Sequence, residues 1–118
     1  QKMAEWQAQS NGVEISFVET PEEAIEQSDV VYTDVWTSMG QEKEIETRKK
    51  AFSGYTVTPE LMEKAKPHAV FMHPLPAHYG EELDLAMQGH PQSVVFQQAE
   101  NRLYTQKAVL EWLLEVSS

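Results

Sequence analysis

Three short segments carry residue types that can do chemistry. The first is Asp34-Val35-Trp36-Thr37-Ser38-Met39-Gly40. A carboxylate at Asp34 can grip an ammonium group. Ser38 and the amides around Met39-Gly40 can receive a carboxylate, because successive N–H groups in a turn form an anion nest. Together they make a receptor for a zwitterion. The same residues also read as an Asp that caps the following turn beside a Trp that packs. The second segment is His73-Pro74-Leu75-Pro76. Its prolines stiffen it, and an X-Pro bond is where a cis peptide is expected. A stiff loop presents carbonyl oxygens at fixed positions, or is simply a rigid turn. His73 can donate a proton or a hydrogen bond, or be a satisfied structural group. The third is Glu100-Asn101-Arg102, expected in the first turn of the last helix. An Arg there runs against the helix dipole, which suits bidentate binding of an anionic ligand or a pair with a nearby carboxylate.

Other chemistries fit poorly. The chain of 118 residues has no cysteine, so disulfides, thiol nucleophiles and zinc–thiolate sites are excluded. No metal site is expected: His73 and His78 are separated by two prolines, and His68 and His90 stand apart. There is no Gly-rich phosphate loop. Ser38, His73 and Asp34 lack the G-x-S-x-G elbow of a hydrolase. The formal charge of −10 argues against nucleic acid and against an anionic membrane surface, since the only dense basic spot is Arg48-Lys49-Lys50. No apolar run approaches a bilayer span, and the polar start does not read as a signal peptide.

The elements that must position these segments follow from periodicity and caps. Residues 2–9 read as an amphipathic helix already in progress, stopped by Asn11-Gly12. Val13-Glu14-Ile15-Ser16-Phe17 alternates as a strand does. Thr20-Pro21-Glu22-Glu23 and Thr58-Pro59-Glu60-Leu61 both open helices, with Thr as N-cap and Pro at the first helical position. The first of these runs to about Gln27. Val30–Thr33, Ala69–Met72 and Ser93–Phe96 read as buried strands, residues 41–52 as a charged helix, and residues 98–115 as the clearest helix. That helix gathers Leu103, Val109, Leu110, Leu113 and Leu114 on one broad face. Alternating strands and helices predict an α/β three-layer sandwich with a mainly parallel sheet of about four strands. In such sheets ligands bind beyond the carboxyl ends of the strands, which selects the segments after Thr33 and after Met72.

Taken together, the three segments resemble motifs of the ornithine carbamoyltransferases. Asp34–Glu42 is similar to the family's ornithine-binding loop with its Ser-Met-Gly signature. Met72-His73-Pro74-Leu75-Pro76-Ala77 is similar to its His-Cys-Leu-Pro motif, and Val95–Arg102 to the run opening its C-terminal helix. The order and spacing match across essentially the whole chain. The resemblance implies transfer of a carbamoyl group from carbamoyl phosphate to the δ-amine of L-ornithine, giving citrulline and phosphate in arginine biosynthesis. It implies a cytoplasmic enzyme of two α/β domains, usually trimeric, with no cofactor. Residues 1–118 would be the ornithine-binding domain, lacking its first strand–helix unit and the carbamoyl-phosphate domain, so the chain alone is expected to be inactive. The lost unit would expose an apolar edge or face, predicting a marginal fold or self-association with Trp6 and Trp112 as contacts.

By position, the resemblance implies that Asp34 binds the α-amino group, while Ser38 and the Met39 backbone hold the amino-acid end. The carbonyls of Pro74 and Leu75 would contact carbamoyl phosphate and orient the amine. Arg102 would bind carbamoyl phosphate, His73 would belong to the catalytic group, and the Leu75-Pro76 bond would be cis. One departure stands out. Pro74 replaces the family's Cys, giving the His-Pro-Leu-Pro form of aspartate carbamoyltransferases. Thr37-Ser38-Met39-Gly40 still favours ornithine, because the aspartate enzymes carry a basic segment there. The alternatives are an aspartate-type or other-acceptor enzyme, and a non-catalytic amino-acid-binding module.

Overall fold

A computed structural model of the chain describes residues 2–37 and 44–116. The elements are α1 (Lys2–Ser10), α2 (Pro21–Ile25), β1 (Val30–Tyr32), α3 (Ile45–Ala51), α4 (Pro59–Met62), β2 (Val70–Met72), a 3₁₀ turn (Leu85–Gly89) and α5 (Val95–Val116).

The two Thr-Pro starts form as their residues dictate. Thr20 Oγ1 accepts from the Glu23 amide at 3.3 Å, and Thr58 Oγ1 accepts from the Leu61 amide at 3.2 Å. Each satisfies one of the orphan donors of a helix start, and Pro at the first position gives up no bond the helix needs. α2 ends at Ile25 rather than near Gln27, and Gln27 then turns with φ 58°. Gly12 ends the α1 region with φ 68°, a conformation that glycine adopts without penalty.

β1 and β2 pair in parallel, with Val30 opposite Val70, Val31 opposite Phe71 and Tyr32 opposite Met72. On the other side of β2, the Phe71 amide donates to the Gln92 carbonyl at 2.8 Å and the Phe71 carbonyl accepts from the Val94 amide at 3.0 Å. Phe71 thus has partners on both sides and is fully buried. It sits in one core with Ile25, Val57, Leu61, Met62, Ala65, Ala69, Leu83, Met87 and Val95. α5 packs on β2, α2 packs on α4, and Ile25, Leu61, Met62 and Val95 bring all three helices into the core around Phe71.

The α/β class with a parallel sheet stands, but the strand count differs from the expected four. Among the described residues the sheet has two strands. Residues 13–17 form no regular element among the described residues, and Val13, Ile15 and Phe17 are exposed. The expected strand at Ser93–Phe96 is reduced to a single bridge between Phe71 and Ser93, because α5 begins at Val95. The expected apolar face of α5 is present in sequence, yet Leu103, Val109, Leu110, Leu113 and Leu114 are exposed, as are Trp6 and Trp112. No helix among the described residues is long and apolar enough to cross a membrane.

Candidate functional site

The register of the two strands decides what meets at their carboxyl ends. Tyr32 lies opposite Met72, and the Thr33 amide donates to the Met72 carbonyl at 3.3 Å. The Asp34 segment and the His73 loop therefore leave the sheet side by side. Asp34 is exposed, and its Oδ1 accepts from the Val35 amide at 2.7 Å. This is the local turn cap that its residue type allows, on a carboxylate that also faces solvent. Trp36 packs: its ring stacks on Phe52 with centroids 5.9 Å apart, and Phe52 meets Tyr55 edge-on at 6.1 Å. Arg48 Nη1 donates to the Trp36 carbonyl at 3.4 Å, and its Nε donates to Glu44 Oε2 at 3.0 Å. α3 thus holds the segment that follows Asp34. The expected Ser38 and Met39 lie outside the described residues.

The second loop is held from within. The Leu75-Pro76 peptide is cis, as expected, and Leu75 sits at φ 54°, which a residue with a Cβ adopts only under constraint. His73 is buried, with 1% of its surface exposed. Its amide donates to Gln98 Oε1 at 2.9 Å, and its Nδ1 accepts from the Leu75 amide at 2.9 Å. An accepting Nδ1 carries no proton, so the ring proton is on Nε2. That atom lies 3.2 Å from Glu82 Oε1, close in distance but outside hydrogen-bond alignment. Glu82 is fully buried, and its Oε1 also accepts from the His78 amide at 2.6 Å. The His73 ring is therefore turned into the protein. Pro74 and Leu75 are half-buried at the loop surface.

Gln98 carries this loop to α5. Arg102 follows it by four residues, one turn further along the same helix face. Arg102 was expected in the first turn, but α5 starts at Val95, so Arg102 sits in its second turn and the dipole opposes it little. Its side chain is exposed. Sequence reasoning singled out neither Gln98 nor Glu82: Gln98 lies inside the Val95–Arg102 run without a role assigned to it, and Glu82 stands in no recognisable motif.

The charges around the loop are mostly spent. Lys49 Nζ meets Glu81 Oε1 at 2.8 Å, and this bond holds the Lys49 ammonium above its usual range. His78, Glu81 and Glu82 offer ligand atoms within 4.8 Å of one another. Lys49 pairs with Glu81, and the His78 amide donates to Glu82 Oε1, so two of the three groups already have protein partners. Farther off, Lys66 and His68 both bond Asp29 and hold its carboxyl below the usual range.

The parallel sheet thus brings two loops side by side at its carboxyl end, one bearing an exposed carboxylate and the other a proline-stiffened turn. Residues 1–113 match the family described as aspartate/ornithine carbamoyltransferase, Asp/Orn binding domain, and the chain belongs to that family. It is 55% identical over 108 residues to the ornithine carbamoyltransferase of Archaeoglobus fulgidus, covering 91% of this chain and 35% of that one. It is 52% identical over 101 residues to that of Psychrobacter arcticus, covering 86% of this chain and 33% of that one. The anabolic ornithine carbamoyltransferase of Campylobacter jejuni superposes with TM-score 0.89 at 38% identity, over 97% of this chain and 38% of that one. The enzyme from Pyrococcus furiosus superposes at 0.82 with 50% identity, over 92% of this chain and 35% of that one. An aspartate transcarbamoylase from Trypanosoma cruzi shares the fold, with TM-score 0.75 at 24% identity, over 92% of this chain and 34% of that one. The chain spans about a third of the length of the curated relatives it matches.

Proposed function

We propose that this chain is the amino-acid-binding part of an ornithine carbamoyltransferase, acting in arginine biosynthesis in the cytoplasm as part of a trimeric enzyme. The observation that carries the reading is 52–55% identity to relatives named for ornithine. The exposed carboxylate of Asp34 beside the His73 loop suits the α-ammonium group of an amino acid.

In this reading Asp34 takes the α-ammonium group, and Ser38 with the Met39 amide takes the α-carboxylate. The carbonyls of Pro74 and Leu75 accept from the amide of carbamoyl phosphate and from the attacking amine. Arg102 approaches the phosphate from the α5 side. The δ-amine attacks the carbamoyl carbon, the bond to the phosphate oxygen breaks, phosphate leaves with its electron pair, and the amine proton goes to solvent or phosphate. Positioning two substrates supplies most of the rate, and charge on the carbonyl oxygen and the departing phosphate needs further donors. Those donors belong to a carbamoyl-phosphate-binding domain, so the chain by itself is inactive. Pro74 has no side-chain group to aid the amine, while its carbonyl serves as any residue's would.

The test is to mix this chain with the separately produced carbamoyl-phosphate domain of a relative and offer ornithine and aspartate in parallel. Citrulline from the mixture, and from neither part alone, is expected. Carbamoyl-aspartate instead would assign an aspartate-type acceptor, and no product with amino-acid binding intact would make the chain a binding module.

A further inference from the structure

The loop of residues 73–78 is clamped from beneath by one buried carboxylate. Glu82 Oε1 accepts from the His78 amide at 2.6 Å at one end of the loop, and lies 3.2 Å from His73 Nε2 at the other. His73 passes the constraint on, because its Nδ1 accepts from the Leu75 amide at 2.9 Å. That bond closes over Pro74 and holds Leu75 at φ 54°. The platform beneath is itself anchored. The Val57 amide donates to the Glu82 carbonyl at 2.9 Å, the Asp84 amide donates to the Val57 carbonyl at 3.0 Å, and Gly80 donates to Leu83 at 2.7 Å.

The arrangement is expensive for a purely structural turn. His73 Nε2 and Glu82 Oε2 are buried with no hydrogen-bond partner among the described residues. A buried polar atom left unsatisfied calls for an explanation, and an apolar pair of similar volume fills such a space at lower cost. What the polar pair supplies and an apolar pair cannot is a fixed ring tautomer. With the proton on Nε2, facing Glu82, Nδ1 is left as an acceptor for the Leu75 amide. The opposite tautomer would set an N–H against that amide.

We propose that Glu82 is a positioning residue: through the His73 ring and the His78 amide it fixes both ends of the 73–78 loop and so aims the carbonyls of Pro74 and Leu75 at the ligand. The use of those carbonyls rests on the function proposed above; the clamp does not. His73 then acts through the loop rather than by touching substrate.

The test has two readouts. Nitrogen-15 imidazole spectra of the chain report the His73 tautomer, and amide hydrogen exchange reports the loop. Wild type is expected to show a single tautomer with Nε2 protonated. In Glu82→Gln and Glu82→Leu, exchange at Leu75 and His78 is expected to accelerate at least tenfold, while amides of β1 and the middle of α5 stay as they were. A proton on Nδ1 in wild type, or unchanged exchange at both amides in Glu82→Gln, overturns the proposal even if Glu82→Leu fails to fold. In the mixture with the carbamoyl-phosphate domain, Glu82→Gln is expected to lower kcat at least tenfold with little change in KM for ornithine. Intact kcat with a loosened loop overturns the positioning role. Should wild type form no citrulline, the function reading fails while tautomer and exchange still judge the clamp.

Discussion

Gln98 ties α5 to the His73 loop by a side-chain hydrogen bond, so removing its acceptor tests that link. The His73 amide donates to Gln98 Oε1 at 2.9 Å, and His73 is 1% exposed, so water cannot replace the lost partner without the loop opening. Gln98→Leu keeps the bulk and removes the acceptor. Leaving a buried N–H unpaired costs about 1–3 kcal/mol. With a urea slope of about 1–3 kcal/mol per molar for a chain of this size, the midpoint is expected to fall by roughly 1 M. Gln98→Glu keeps an acceptor oxygen at the same place and adds a negative charge in the first turn of α5, where the helix dipole favours it. It is expected to sit near wild type. Urea unfolding followed by far-UV circular dichroism measures both, and amide exchange locates the loss at His73. A Leu variant with the wild-type midpoint, or a Glu variant as weak as Leu, would refute the reasoning.

Two further outcomes follow from the same structure. Thr58→Ala and Thr20→Ala each remove a cap worth about 1 kcal/mol, and the Thr58 change is expected to cost more. Its helix buries both Leu61 and Met62, whereas the helix after Thr20 is mostly exposed; equal midpoints in urea would contradict this. Asp29→Asn removes the bonds from Lys66 and His68 that lower the Asp29 pKa. A lowered carboxyl pKa contributes stability that is full above the ordinary value of 3.8 and is lost as pH falls through the lowered value. The wild type is thus expected to melt above the variant at neutral pH, with the gap closing in strong acid. A gap that stays constant across that range would contradict it.

How much of this was legible in the sequence depended on whether a feature was local. The Thr-Pro-Glu helix starts are local chemistry and formed as read. The apolar runs at Val30 and Val70 also formed, because each finds the other as its neighbour. The alternation at residues 13–17 describes a strand that needs a partner, and no partner reaches it among the described residues. Val94-Val95-Phe96 carries strand propensity, yet the bonds to Phe71 are completed by Gln92 and Val94, and the helix takes over from Val95. At the site, Asp34 and the proline loop were visible because their residue types are unusual after a strand. Glu82 was not, because a polar residue among polar neighbours reads as solvated, and Gln98 lay inside the Val95–Arg102 run with nothing local to set it apart. Only the tertiary fold buries Glu82 beneath the loop and turns Gln98 toward His73.

The most direct measurement is an amide ¹H–¹⁵N correlation spectrum of this chain titrated with L-ornithine, with L-aspartate in parallel. Saturable shifts with ornithine at Asp34, Ser38, Met39 and the 73–78 loop, absent with aspartate and abolished in Asp34→Asn, are the predicted result. A response to aspartate but not ornithine, or ornithine shifts that survive Asp34→Asn, would contradict the account.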